Sequence, residues 1–487
     1  MSAPLSPTRL ATALGHWSAR SGPLYLALAD ALRRAVRRGD VPPGICLPAE
    51  RSLATALAVS RGTVAAAYDL LRSEQLLGSR TGSGTWVRPE AARPIALLND
   101  PTPSAPARRL SGRLIEPVPG LIDLATGSLS GLEGLPEDLF AMPGVATLER
   151  LGGGHGYLPL GLPELRARIA ELHGDRGLPT RPAQIAVTSG AQQAIGLVGQ
   201  LLVRPGDAVV VETPTYPGAL DVFGRLGARI VPVPAESSWA RAGALRAAVE
   251  ANAPRLVYVL PDCANPTGRV MPEGRRREIA RLADEHQVYV VEDNSLADVV
   301  LEPRGIPPVA AFSRTGRVLT LGSLSKVAWG GLRVGWLRGP AEFVDPLGRL
   351  KAATDFGMSV LPQVSALRVL DRLPAIAADR RRLVRERRDL AERELARLLP
   401  EWCWTSPEGG LSLWIRLPAG TADGLAQVAL RHGVEFTPGS AHAVDGACDD
   451  HLRLSYGPPP ALLREGIARL AAAWHDYAAG RVTRAAS

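Results

Sequence analysis

The chain has 487 residues, 46% of them hydrophobic and 21% charged, which excludes both a disordered polymer and a lone small module and predicts two or three domains. Lys and Arg number 56 against 48 Asp and Glu, a net +8 that permits an anionic partner without requiring one. Cys46, Cys263, Cys403 and Cys448 lie far apart without CxxC or Cys/His spacing, so they exclude a disulfide framework and a structural metal, read as packing residues and fit a reducing cytoplasm. The longest uncharged run, 182–203, is broken by Thr188, Ser189, Gln192, Gln193 and Gln200, and no membrane span is expected.

Residues 1–15 read as an arm without structure, and 16–88 as a compact helical module. A first helix over about 24–38 stops at Gly39. Ala49 and Glu50 open a second, carrying Leu53, Ala54 and Leu57; Ser60 caps a third over 61–72, with Val64, Tyr68 and Leu71 facing inward. Two short helices around AVS make a helix-turn-helix, and SRTGSGTWV reads as a hairpin whose Gly82-Ser83-Gly84 tip can approach a phosphate backbone. Residues 1–90 hold eleven Arg and no Lys against six acidic residues, so +5 of the total +8 sits in less than a fifth of the chain. The strings LPAERSLATALAVSRGTVAAAYDLL and GSRTGSGTWV resemble the GntR-type winged helix-turn-helix. That resemblance implies double-stranded operator DNA as partner, contacted by Arg51, Ser60, Arg61 and Thr63, with Arg80 and Gly82 on the wing. Residues 89–120, rich in Pro, Ala and Arg without periodicity, read as a semi-rigid linker.

After 120, β-branched runs alternate with amphipathic stretches: QIAVTS, AVVVE, RIVPV, RLVYVL, VYVVED and RVLTLGS, with a helix such as 273–286 between them. This is the α/β pattern of a mostly parallel sheet covered on both faces. The pattern turns helical over 363–399, and LSLWIRL and HLRLSY then predict a smaller α/β subdomain.

Four local patterns point to a binder of a phosphorylated, electron-poor aromatic aldehyde. TSGAQQAI at 188–195 places Gly190, Ala191 and Gln192 at a helix start, where backbone N–H groups face an anion. PDCANPTG at 261–268 sets Asn265 at a strand end. VVEDN closes an apolar strand with Glu292 and Asp293, and an aspartate there is able to hold a pyridinium nitrogen protonated. GSLSKVAWGGLRVGW at 322–336 supplies the hydroxyls of Ser323 and Ser325, the amine of Lys326 and the fixed cation of Arg333. Only two of the 56 cations are lysines: Lys326 demands a chemical explanation, whereas Lys351, beside Arg349, reads as a surface residue. The SxxK at 323–326 lacks the SDN and KTG partners of a β-lactamase, and LGGGHG at 151–156 lacks the GK[ST] of a nucleotide loop.

In order and spacing these patterns resemble the fold type I pyridoxal-phosphate enzymes of the aspartate aminotransferase class, over about 121–480. The resemblance implies pyridoxal 5′-phosphate as cofactor, held by Lys326 as a Schiff base, with Asp293 on the pyridine nitrogen and Asn265 on the ring hydroxyl. It implies Tyr216 stacked on the ring, and Gly190, Ala191, Gln192, Ser323, Ser325 and Arg333 around the phosphate. Tyr157 would reach that phosphate from the partner subunit of a homodimer, and Arg453 would bind a substrate or effector carboxylate. A winged helix followed by such a domain resembles the MocR subfamily of GntR regulators, which implies a transcriptional regulator sensing a small amino compound or vitamer; the alternative is an active aminotransferase carrying a DNA-binding module. Ser295 stands where the family commonly has a tyrosine on the ring hydroxyl, so transamination is expected to be weak.

Overall fold

A computed structural model describes residues 5–19, 22–80, 84–89, 118–129, 132–152, 154–235, 243–444 and 446–485. The N-terminal head contains helices α1 (Pro7–Ala13), α2 (Leu24–Arg37), α3 (Glu50–Ala56) and α4 (Arg61–Ser73), then a hairpin of β1 (Leu77–Arg80) and β2 (Gly84–Val87). Leu28, Leu32, Leu53, Val64, Tyr68 and Leu71 form its core. Tyr68 keeps its buried hydroxyl satisfied by donating to Pro48 O at 3.0 Å. The arm expected to be unstructured is instead helical over Pro7–Ala13, with the Ser6 side chain capping Arg9 N at 3.2 Å. Ser-Pro is an N-cap and N1 pair, and Leu10, Leu14 at the helix end and Trp17 of the following turn pack into the head core. The head therefore reaches back to residue 5, and the greater part of the predicted linker lies outside the described residues.

The large domain is built on a seven-stranded sheet. Its strands, after β3 (Ile122–Asp123), are β4 (Ile185–Thr188), β5 (Ala208–Thr213), β6 (Arg229–Pro234), β7 (Leu256–Val259), β8 (Tyr289–Asp293), β9 (Val318–Ser323) and β10 (Gly335–Arg338). The order is β4-β10-β9-β8-β7-β5-β6, with β10 antiparallel to both neighbours and the other pairs parallel. The strand period of two is visible in the cores. Val209, Val211, Leu256, Tyr258 and Leu319 enter one hydrophobic cluster, whereas Val210, Val257, Val259 and Val318 enter another on the opposite face. Helices Ala191–Leu202 and Ala341–Asp355 contribute to the first, and Gly243–Asn252 and Glu273–His286 to the second.

The smaller subdomain carries β11 (Cys403–Trp404), β12 (Ser412–Arg416), β13 (Val434–Glu435), β14 (Thr437–Pro438) and β15 (His451–Ser455). β11-β12-β15-β14 form one antiparallel sheet, and β13 pairs in parallel with β3. Leu413, Ile415, Leu425, Leu454, Ile467 and Trp474 anchor its core against the flanking helices. The long helix Leu373–Leu398 ties the two bodies together: Arg380 donates to Val327 O at 3.1 Å and Ala328 O at 3.2 Å, and Arg387, two turns on, donates to Gly457 O at 3.1 Å. Lys351 is fully buried and bonded to Asp355 at 3.0 Å, contrary to its surface reading, and Cys403 is exposed where packing was expected. Among the described residues no helix is long and apolar enough to cross a membrane, and no cluster of His, Cys, Asp or Glu is placed to hold a metal.

Candidate functional site

A cavity of about 240 Å³ opens at the carboxyl ends of the central strands, between the large sheet and the small subdomain. Three strand ends converge on it. β8 ends at Asp293, β9 ends at Ser323 three residues before Lys326, and β4 ends just before Gly190. Alternation along β8 separates the two adjacent carboxylates. Glu292 turns to the opposite face, where it accepts from Val309 N at 2.7 Å, Ala310 N at 3.0 Å and Thr320 Oγ1 at 2.7 Å; Asp293 lines the cavity.

Lys326 also lines the cavity, its Nζ donating to Gly127 O at 2.7 Å. Burial pushes the amine down to about 8, Arg453 and Arg333 repel its charge, and Asp293 partly opposes them. Asp293 is itself clamped from both sides. Tyr258 donates to its Oδ2 at 2.7 Å, and Ser295 donates to its Oδ1 through Oγ at 2.6 Å and through the backbone N–H at 3.0 Å. Ser295 is thus occupied with Asp293 and does not stand in for a ring-contacting phenol.

Gly190 is the N-cap of the helix Ala191–Leu202 with φ 105, a conformation that favours glycine, and a Cβ there would meet Arg333 Nη2 at 3.0 Å. Arg333 holds the left-handed conformation at φ 55 and donates to Ser189 O at 2.5 Å. Ser323 Oγ and Ser325 Oγ are 3.0 Å apart, and Ser325 N donates to Ser323 Oγ at 3.2 Å. With Ala191 and Gln192 in the lining, a helix N-terminus, two hydroxyls and a guanidinium face one small volume. Tyr216 lies on the same wall; burial, reinforced by Asp293, pushes its phenol up to about 12, so it stays neutral. Arg453 donates to Asn265 Oδ1 at 3.0 Å, to Thr437 Oγ1 at 3.5 Å and to Ala125 O. This donor set fits a phosphorylated pyridine aldehyde: fixed cation and amides for the phosphate, a carboxylate for a ring nitrogen and an amine for the carbonyl.

Tyr157 is the exception. It lies outside the cavity lining of its own chain, 59% exposed, its ring tilted beside that of Phe356 at 5.4 Å. The residues that sequence reasoning missed are Tyr258 and Glu435. Tyr258 looks like another apolar strand position, and nothing in its run shows that its hydroxyl reaches across to β8. Glu435 lies in a two-residue strand too short to predict.

On the head, Ser60 caps α4 by accepting from Thr63 N at 3.1 Å, and Thr63 Oγ1 shares a 3.0 Å hydrogen bond with Ser60 Oγ. Arg51 is exposed on α3; Arg61 is exposed at the start of α4 and pairs with Glu50 at 3.0 Å. Arg80 closes β1 in backbone, while its side chain and Gly82 lie outside what the structure describes.

Residues 24–87 match the model of bacterial regulatory proteins of the gntR family, and residues 119–470 match that of aminotransferase class I and II. An HTH-type transcriptional regulator of Bacillus subtilis, YisV, is 31% identical over 89% of this chain and 92% of its own length. The probable rhizopine catabolism regulatory protein MocR of Rhizobium meliloti is 29% identical over 93% of this chain and 94% of its own. The chain belongs to the GntR regulators of the MocR kind. Its large domain has the fold of the α-aminoadipate aminotransferase LysN of Thermus thermophilus, with a TM-score of 0.68 and 30% identity over 76% of this chain and 97% of that one. That structure is complexed with N-(5′-phosphopyridoxyl)-L-leucine. Pyridoxal 5′-phosphate is the cofactor that the family and these neighbours imply for this MocR-type regulator, and the cavity residues fit it.

Proposed function

We propose that this regulator binds operator DNA as a homodimer through its winged helices and senses a small amino compound through a pyridoxal-phosphate cavity. The observation that carries this reading is the union, in one chain, of an exposed arginine-bearing helix-turn-helix with a cavity where a lowered-pKa Lys326 stands beside a clamped Asp293. When bound, pyridoxal phosphate supplies an electrophilic carbonyl and a ring that takes up electron density. Lys326 Nζ, neutral above about pH 8, is the nucleophile for that carbonyl. Asp293 holds a proton at the pyridine nitrogen, while Tyr258 and Ser295 fix its two oxygens. Asn265, whose Oδ1 is taken by Arg453, presents its Nδ2 to the ring hydroxyl. Gly190, Ala191 and Gln192 orient the phosphate through the helix N-terminus, with Ser323, Ser325 and Arg333 completing its donors. Tyr216 covers the ring, Tyr157 reaches the phosphate from the partner subunit, and Arg453 takes a ligand carboxylate. On the head, Arg51, Ser60, Arg61 and Thr63 contact DNA, with Arg80 and Gly82 on the wing.

A second reading, turnover as an aminotransferase, draws on the completeness of the amine, carboxylate and guanidinium set. Ser295 weighs against it, because its hydroxyl serves Asp293 at 2.6 Å and leaves the ring hydroxyl to Asn265. Borohydride reduction of the reconstituted protein, followed by peptide mapping, tests the cofactor assignment. Label on Lys326 is expected; label on Lys351 or on neither lysine overturns it. Steady product formation from an amino acid and a keto acid, on the order of 10 per second, would favour the second reading instead.

A further inference from the structure

The N-terminal arm is seated on the effector domain, and its seat reaches the cavity. Trp17, 1% exposed, donates Nε1–H to Gln427 Oε1 at 3.0 Å, and Ser18 Oγ donates to Gln427 O at 3.4 Å. From the other side Arg431 donates to Ala58 O at 3.2 Å, in the turn that precedes the recognition helix. His16 Nε2 meets Glu435 Oε1 at 3.0 Å, with the two side chains 14% and 12% exposed.

Glu435 has two environments. It faces the arm through that carboxylate, and it also lines the cavity. Two residues on, Thr437 accepts at 3.5 Å from Arg453, the guanidinium assigned to a ligand carboxylate. Among the described residues lining the cavity, the carboxylates are Asp293 and Glu435. Asp293 has both oxygens engaged by Tyr258 and Ser295, whereas Leu296, Leu411 and Phe436 make the neighbouring wall apolar. A cation entering such a wall is strongly disfavoured unless a carboxylate meets it.

We propose that Glu435 recognises a second, distal cationic group on the effector, an amino acid bearing a further amino or guanidino function, and that it does so in competition with His16. The ligand carboxylate lies on Arg453, its distal cation draws the Glu435 carboxylate inward, and the arm loses a contact that holds the head. A ligand that binds Glu435 more tightly than His16 does shifts the head toward its released position by that difference. The proposal rests on the reading of the cavity as the cofactor and effector site.

The test uses the full chain reconstituted with pyridoxal phosphate, with L-ornithine and L-lysine as probes and L-norleucine as the uncharged control. Cofactor absorbance reports binding, and amide hydrogen exchange in peptides spanning 7–19 reports the arm. The diamino acids are expected to half-saturate at least about tenfold below norleucine, the scale set by removing one partner of a desolvated charge pair. They are also expected to speed exchange in 7–19, which saturating norleucine leaves unchanged. Glu435→Gln erases the preference and exchanges fast without ligand; His16→Ala exchanges fast throughout yet keeps the preference. Equal binding of norleucine, or an arm that stays protected at saturating ornithine, overturns the proposal. Loss of all cofactor absorbance overturns the underlying reading, and this proposal with it, while a normal band without discrimination overturns this proposal alone.

Discussion

Lys326 and Lys351 are the two lysines of an arginine-rich chain, and Lys351 is a buried structural ion pair with Asp355. The distinction lies in the neighbours: Lys326 shares its cavity with Arg453, Arg333 and Asp293, and burial holds its amine down at about 8. Were the neutral Lys326 amine to hold the cofactor carbonyl, as proposed, uptake of pyridoxal phosphate by apoprotein would rise about fivefold from pH 7 to 8 and less than about twofold from pH 8 to 9. A rate that keeps climbing about tenfold per pH unit through pH 9.5 would show an ordinary lysine. Arg453→Gln removes a repulsion, so it moves the midpoint upward. Asp293 was legible as the last polar residue of an apolar strand; Tyr258 was not, because burial conceals a hydroxyl that matters. Tyr258→Phe leaves one carboxylate oxygen short of a donor and is expected to cost roughly 1.5–3 kcal/mol in denaturant unfolding. A variant as stable as the parent would mean that Asp293 does not depend on that bond.

At the level of elements, the central parallel strands were legible because they are apolar on both faces, and the helix starts because Ser60 and Glu50 mark them. β10 was not legible, since Gly335–Arg338 follows a glycine-rich turn and its pairing with β4 and β9 is entirely non-local. α1 was missed for the opposite reason: seven residues are too few to show a period, and tertiary packing of Leu10 and Leu14 decides its state. α4 carries a built-in restraint at its start, because Glu50 holds Arg61 at 3.0 Å while leaving it 74% exposed. Arg61→Ala should cost roughly 1–3 kcal/mol of DNA affinity if that arginine reads a base. Glu50→Gln releases Arg61 and removes a negative charge beside it, so DNA affinity should rise at fixed salt if Arg61 contacts DNA. Unchanged DNA binding by both variants would remove Arg61 from the interface.

For the whole molecule, Tyr157, proposed to reach the phosphate from a partner subunit, stands exposed beside Phe356 and outside the cavity of its own chain. A homodimer that brings Tyr157 across is expected to sediment as such at micromolar concentration, and Tyr157→Ala should weaken cofactor retention although the residue lies outside its own cavity. A monomer with full cofactor affinity would contradict this. The two-domain order was readable from motifs and charge, but the seat of the arm on Gln427 and Glu435 was not, since Trp17 lies about four hundred residues away in sequence. In the proposed function one chain couples an amino-compound cavity to DNA. The most direct measurement is the Kd of the full-length protein for a DNA fragment selected from a random pool, at fixed salt, as apoprotein, with pyridoxal phosphate, and with pyridoxal phosphate plus L-ornithine. A change of about tenfold between states is expected, lost in Lys326→Ala, in keeping with a coupling near 1.4 kcal/mol. The same Kd in all three states, with cofactor absorbance showing the cavity filled, would contradict it.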